Sequence, residues 1–86
     1  MNTKLKYHEF EVGKLYRGTG VLYSRNLRGI TNGEIIEEGI DYHKTPFIFL
    51  GFKRNLYSNS FYCGIVIKNK VGRILMHKDE LFEELA

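Results

Sequence analysis

This 86-residue chain has no tryptophan, one proline and one cysteine, and each scarcity removes a class of molecule. A single Cys63 leaves no partner for an internal disulfide, so the chain is not a disulfide-stapled secreted miniprotein. One proline rules out a collagen-like or proline-rich linker character. No apolar run approaches the roughly 18 residues that a membrane-spanning helix needs. The opening residues, MNTKLKYHEFEV, are polar and mixed, without a charged-then-apolar leader. Together these features lead to the expectation of a cytoplasmic protein in a reducing compartment. No internal repeat or low-complexity segment is present.

Aromatic residues and glycine are abundant. Six Tyr, six Phe and nine Gly stand in a chain that is 43% hydrophobic and 27% charged. At this length one domain is expected over residues 1–86, burying roughly 60–65% of its unfolded surface. Large aromatic side chains help such a small core because each removes much area from water per residue ordered.

The net charge is +3, but its distribution is blocky. Residues 1–33 carry six Lys/Arg against two Glu, and residues 34–43 carry four acids without Lys/Arg. Residues 44–78 carry seven Lys/Arg without an acid, and residues 79–86 carry four acids without a base. Such blocks either solvate the surface or assemble a basic face for an anionic partner.

Period-two alternation dominates the hydrophobic pattern. Phe61, Cys63, Ile65 and Ile67 share one face of a strand, while Tyr62, Gly64 and Val66 share the other. Lys68-Asn69-Lys70 forms a polar hairpin tip, and residues 71–76 return as a second strand. Pro46 opens the apolar run 47–52, where a proline costs no interior ladder bond. Strand-like text also covers 10–17 and 21–24, while 1–9 read as a loosely ordered lead-in. Gly18-Thr19-Gly20 precedes a strand rather than a helix, so a turn is expected there and not a phosphate loop. Residues 25–45 form a long polar connection, either hiding a short hairpin at Asn32-Gly33 or making a helical turn through 34–38. At the end, Asp79 is placed to cap a short helical turn carrying Leu81, Phe82 and Leu85 on one stripe. The expected fold is therefore mainly β, a small barrel of five to six strands with a short C-terminal helical turn.

The order of these pieces resembles that of SH3-like barrels of the bacterial or bacteriophage type. Val21-Leu22-Tyr23 stands as a first barrel strand, and 25–45 as the long loop after it. The aromatic-led strand at Phe61-Tyr62, the turn at 68–70, the return through Val71-Gly72-Arg73-Ile74 and Glu83-Glu84-Leu85 complete the match. The resemblance implies the barrel fold, and the long 25–45 loop with the tyrosine excess leads to the expectation of a non-enzymatic interaction or regulatory module. Proline-reading members of this type carry a tryptophan where Phe61 or Tyr62 stands. They carry a proline followed by a tyrosine where Leu75, Met76 and His77 stand, so proline-peptide recognition is not expected.

No catalytic constellation is legible. Cys63 lies mid-strand among apolar neighbours, where a thiol behaves as a small hydrophobe. His8, His43 and His77 show no metal-ligand spacing, and no metal or other cofactor is expected. Glu37-Glu38 and Glu83-Glu84 are adjacent pairs, which diverge on a strand. Basic residues are more suggestive: Arg25, Arg28, Lys53, Arg54, Lys68, Lys70 and Arg73, with tyrosines interleaved. The expected binding set is Tyr23, Arg25, Arg28, Tyr42, Lys53, Arg54 and Tyr57. A protein partner is expected at the 25–45 loop and nearby aromatics. The alternative is single-stranded nucleic acid held by basic loops and stacking tyrosines.

Overall fold

The structure, a computed structural model, describes residues 4–20 and 24–85. Eight strands occur among them: β1 (Lys4–Leu5), β2 (Leu15–Gly18), β3 (Arg25–Arg28), β4 (Ile35–Ile40), β5 (Phe47–Tyr57), β6 (Ser60–Ile67), β7 (Lys70–His77) and β8 (Phe82–Leu85). They form one antiparallel sheet in the order β1-β8-β2-β5-β6-β7-β3-β4. The only helical element among the described residues is a single 3-10 turn, Tyr7–Glu9. The mainly β expectation holds, with eight strands in place of five or six.

With no helix to cover its apolar face, the sheet must bury that face against itself. Leu27 and Ile40 near one edge join Tyr16 and Phe82 near the other in a single core with Phe47, Phe61, Ile65 and Met76. Beyond β4 the chain reaches back to β2. The Gly18 N–H donates to the Tyr42 carbonyl at 2.9 Å. The Tyr42 ring stacks on Phe82 with centroids 5.9 Å apart.

Two local devices allow this wrapping. In β5, Phe49 pairs with Ile65 and Lys53 with Cys63, so Leu50, Gly51 and Phe52 together face Gly64. Gly51 sits at φ +93°, a left-handed conformation that a side chain resists. This bulge bends the eleven-residue strand so that its first half pairs with β2 and nearly its whole length with β6. In β7, a Cβ at Gly72 would stand 2.6 Å from the Arg28 carbonyl oxygen and 2.8 Å from Leu27. Only glycine lets β3 approach so closely.

The β6–β7 hairpin turns where the alternation placed its tip. Lys68 (φ 53°) and Asn69 (φ 63°) are both left-handed, the geometry of a type I′ turn that matches the twist of the strands it joins. The 25–45 connection contains a hairpin, β3–β4, turning through 29–34 with Gly33 at φ +70°. The helical alternative at 34–38 is not formed.

The C-terminal helical turn is corrected. The His77 N–H donates to Glu80 Oε1 (2.7 Å) and the Glu80 N–H to the His77 carbonyl (3.1 Å), which makes a tight turn instead of an Asp79-capped helix. Residues 82–85 then pair with β2, with Phe82 buried and the Arg17 Nε donating to Glu83 Oε1 at 3.0 Å. A four-residue helix there would leave the β2 edge unpaired, and the ladder wins. Lys4–Leu5 pair with β8, and Tyr7 packs on Phe61 at 4.5 Å between centroids. The proposed strand at Val21-Leu22-Tyr23 lies outside the described residues.

A candidate anion-binding face

Strand register sorts the expected binding residues by face. Phe61, Cys63 and Ile65 point into the core, so Tyr62, Gly64 and Val66 point outward. Tyr62 is in register with Arg54 of β5 and Leu75 of β7, and Gly64 with Arg73. Arg73 is in turn in register with Arg28 of β3. Gly64 has no side chain, and Phe52 fills the space above it; a Cβ there would meet the Phe52 Cβ at 2.9 Å. The outer face of the β5-β6-β7-β3 segment thus carries Phe52 and Tyr62 among Arg28, Arg54 and Arg73.

Two of the arginines, Arg28 and Arg73, are fixed as well as placed. The Arg73 guanidinium lies over the Tyr62 ring, 4.8 Å from its centroid, a favourable cation–π distance. Its Nη1 donates to the Ile30 carbonyl at 3.4 Å, and Arg28 Nη1 donates to the Gly33 carbonyl at 2.9 Å. Both therefore tie the β3–β4 turn to the sheet while their charge stays uncompensated. Among the described residues no carboxylate forms an ion pair with Arg28, Arg54 or Arg73. Beside them opens a cleft of about 290 Å³ lined by Ser24, Arg25, Asn26, Arg28, Tyr62 and Leu75.

The remaining members of the expected set scatter. Tyr42 is fully buried, so it offers no ring face to a partner. Its hydroxyl donates to the Glu80 carboxylate at 2.6 Å, and burial beside that carboxylate pushes its ionisation up. The polar text around residues 40–45 suggested a surface tyrosine, but the chain here crosses the open end of the core. Lys53, in register with Cys63, points away from Arg54. It covers the end of the core with its amine 5.5 Å from the Tyr7 ring centroid and 5.6 Å from that of Phe49. Tyr57 is 69% exposed but lies at the far end of the β5–β6 hairpin. Lys68 and Lys70 both pair with Glu37, and these pairs hold its carboxyl below the usual range. Tyr23 lies outside the described residues. Only Arg25, Arg28 and Arg54 of the expected set come together, and the set omitted Asn26, Phe52, Tyr62 and Arg73. Alternation alone exposes Tyr62, whereas Arg73 and Asn26 join it only through strand pairing.

A second cleft, of about 270 Å³, opens between the β2–β3 connection and the β7–β8 turn, with Arg25, His43, His77 and Glu80 in its wall. His43 is 5% exposed, stacked on Tyr42, with Nε2 3.3 Å from Glu80 and Nδ1 3.5 Å from Asp41. Arg25 reaches to 3.9 Å of Glu80 and lines both clefts. Glu80 thereby gathers a tyrosine hydroxyl, a histidine, an arginine and a backbone N–H, which is how a largely buried carboxylate is stabilised. This network ties the 41–43 segment to the β7–β8 turn. No cluster of metal-ligating side chains occurs among the described residues. Cys63 is a core residue whose thiol burial pushes up to about 12. Comparison with protein-family models, with curated proteins and with solved structures gives no match for this chain.

Proposed function

We propose that this chain is a non-enzymatic binding barrel of SH3-like type whose outer face takes nucleic acid. The architectural part rests on strand order. β8-β2-β5-β6-β7 are contiguous in the sheet, β5 is long and kinked, and the excursion between β2 and β5 carries the extra hairpin β3–β4. An SH3-like barrel with an elaborated first long loop would have this element order, which supports the reading.

One observation carries the functional part. Arg28, Arg54 and Arg73 share a face with Phe52 and Tyr62, and none has an acidic partner among the described residues. Basic groups without counter-charges beside open aromatic surface are what a polyanion with π-faces rewards. Fluorescence anisotropy with labelled oligonucleotides tests the reading. Binding is expected at low salt, with the logarithm of affinity falling against the logarithm of salt at a slope of about −2 for three phosphates on a single strand. Arg54→Gln is expected to make that slope shallower by about 0.7. No detectable binding of any DNA or RNA at roughly 50 mM salt sinks the reading.

A second reading, a protein partner at the 25–45 segment, is favoured by a different surface. β4 is an edge strand, and Ile35 and Ile36 on it are 45% and 43% exposed. Exposed β-branched side chains on a free edge suit strand addition by a partner. A protein captured from nuclease-treated lysate by the wild type and equally by Ile35→Lys argues against this surface.

A further inference from the structure

Ser24, Asn26 and Leu75 have no role in the charge-based binding of a polyanion, yet they line the cleft beside Tyr62. Leu75 is directly across from Tyr62, so the two make an apolar floor. Asn26 flanks the buried Leu27 on β3 and therefore points outward. The side chains of Ser24 and Asn26 take no hydrogen bond from, and give none to, any described residue. They leave a hydroxyl and a carboxamide open at the rim of the cleft. Arg28 stands on the same rim, and Arg73 closes over one side of Tyr62.

An apolar floor, an amide at its edge and cations around it are the complement of a nucleotide rather than of a bare phosphate. A planar base packs on tyrosine and leucine. Its hydrogen-bonding edge meets an amide that both donates and accepts, and the adjoining phosphates meet guanidinium groups. A cleft of about 290 Å³ has room for a planar base against Tyr62 and Leu75. A base inside a duplex presents no face, so the cleft selects an unpaired one.

We infer that the Tyr62–Leu75 cleft lodges an unpaired base, which makes the protein a reader of single-stranded nucleic acid with Asn26 at the base edge. This inference rests on the nucleic-acid reading of the outer face, and it adds base insertion to what electrostatics alone supplies.

Three probes of equal length separate the two: a single-stranded homopolymer, the same strand without bases, and a duplex. The wild type is expected to bind the homopolymer about 5- to 150-fold more tightly than the abasic strand, the range of one base–aromatic stack. Tyr62→Ala is expected to abolish that difference while keeping the salt dependence, and Tyr62→Phe to preserve it. Asn26→Ala is expected to flatten preferences among the four homopolymers. A wild type that binds abasic and normal strands equally, or the duplex as well as the single strand, overturns base insertion and leaves the polyanion reading standing. Failure to bind any of the three removes both. The wild-type comparison does not depend on the folding of any variant, and far-UV circular dichroism checks that the Tyr62 variants fold.

Discussion

At the residue scale, sequence context misled most where a polar stretch hides a core position. Tyr42 stands between Asp41 and His43, yet its ring is fully buried and only its hydroxyl meets a polar partner. Removing that hydroxyl leaves the Glu80 carboxylate short of a donor in a partly buried place. Tyr42→Phe is accordingly expected to lower stability by about 1–3 kcal/mol in urea denaturation. An unchanged midpoint counts against the Glu80 network as a structural closure. Cys63 makes a second residue-scale test. Its thiol rises from an ordinary 9.0 to about 12 because burial penalises the thiolate, whereas the unfolded chain ionises near the ordinary value. Stability is therefore fully present below about pH 9 and lost as pH rises toward 12. The slope of that loss is about 1.4 kcal/mol per pH unit. Denaturation curves between those limits should show the loss, and Cys63→Ala should reduce it. Tyr42, raised in the same direction, keeps part of the slope in that variant.

At the element scale, strand propensity and hydrophobic alternation were reliable where both agreed. β6, the 68–70 turn and β7 fall where the alternation and the turn residues placed them. The C-terminal segment shows the opposite case. Leu81, Phe82 and Leu85 fit a helical stripe, but four residues nucleate a helix poorly, and β2 presents an unpaired edge beside them. Tertiary pairing overrode local preference. Gly72 marks where one element depends on another. A Cβ there would be held between the Arg28 carbonyl and Leu27. Gly72→Ala is expected to cost about 1–3 kcal/mol, the range for overpacking, and to raise proteolytic cleavage within the β3–β4 hairpin before the rest of the chain. Cleavage at the wild-type rate would mean that the close approach is not what seats the hairpin.

At the scale of the whole molecule, the long connection is part of the core and not an appendage. Leu27, Ile40 and Tyr42 all come from it, and all are fully or almost fully buried. A variant in which residues 25–45 are replaced by a short flexible linker is expected to lose cooperative thermal unfolding. A sharp transition in differential scanning calorimetry would contradict that expectation. The same fact bears on partner capture: a point change at Ile35 tests the hairpin surface without dismantling the fold. Wrapping also gives the charge blocks their meaning. Glu37 of the acidic block pairs with both Lys68 and Lys70, and Glu80 and Glu83 of the last block meet Arg25 and Arg17. Among the basic residues singled out for binding, pairing with acids among the described residues spares Lys53, Arg28, Arg54 and Arg73, and the three arginines share one face.

Composition and periodicity by themselves determined a single, mainly β domain, the hairpin at 61–76 and the core role of Cys63. Each follows from local rules: alternation at period two, left-handed turn residues, and the apolar surroundings of one thiol. Which tyrosine reaches the surface, which arginine is left without an acidic partner, and whether 82–85 coil or pair were decided only by the tertiary structure. Those outcomes depend on register between strands distant in sequence. Arg54 and Lys53 differ by one position and point to opposite faces, while Arg28, Arg54 and Arg73 are brought to one face across three strands. No one-dimensional pattern carries that register, because it is set by where the sheet bends at Gly51 and how closely β3 approaches Gly72.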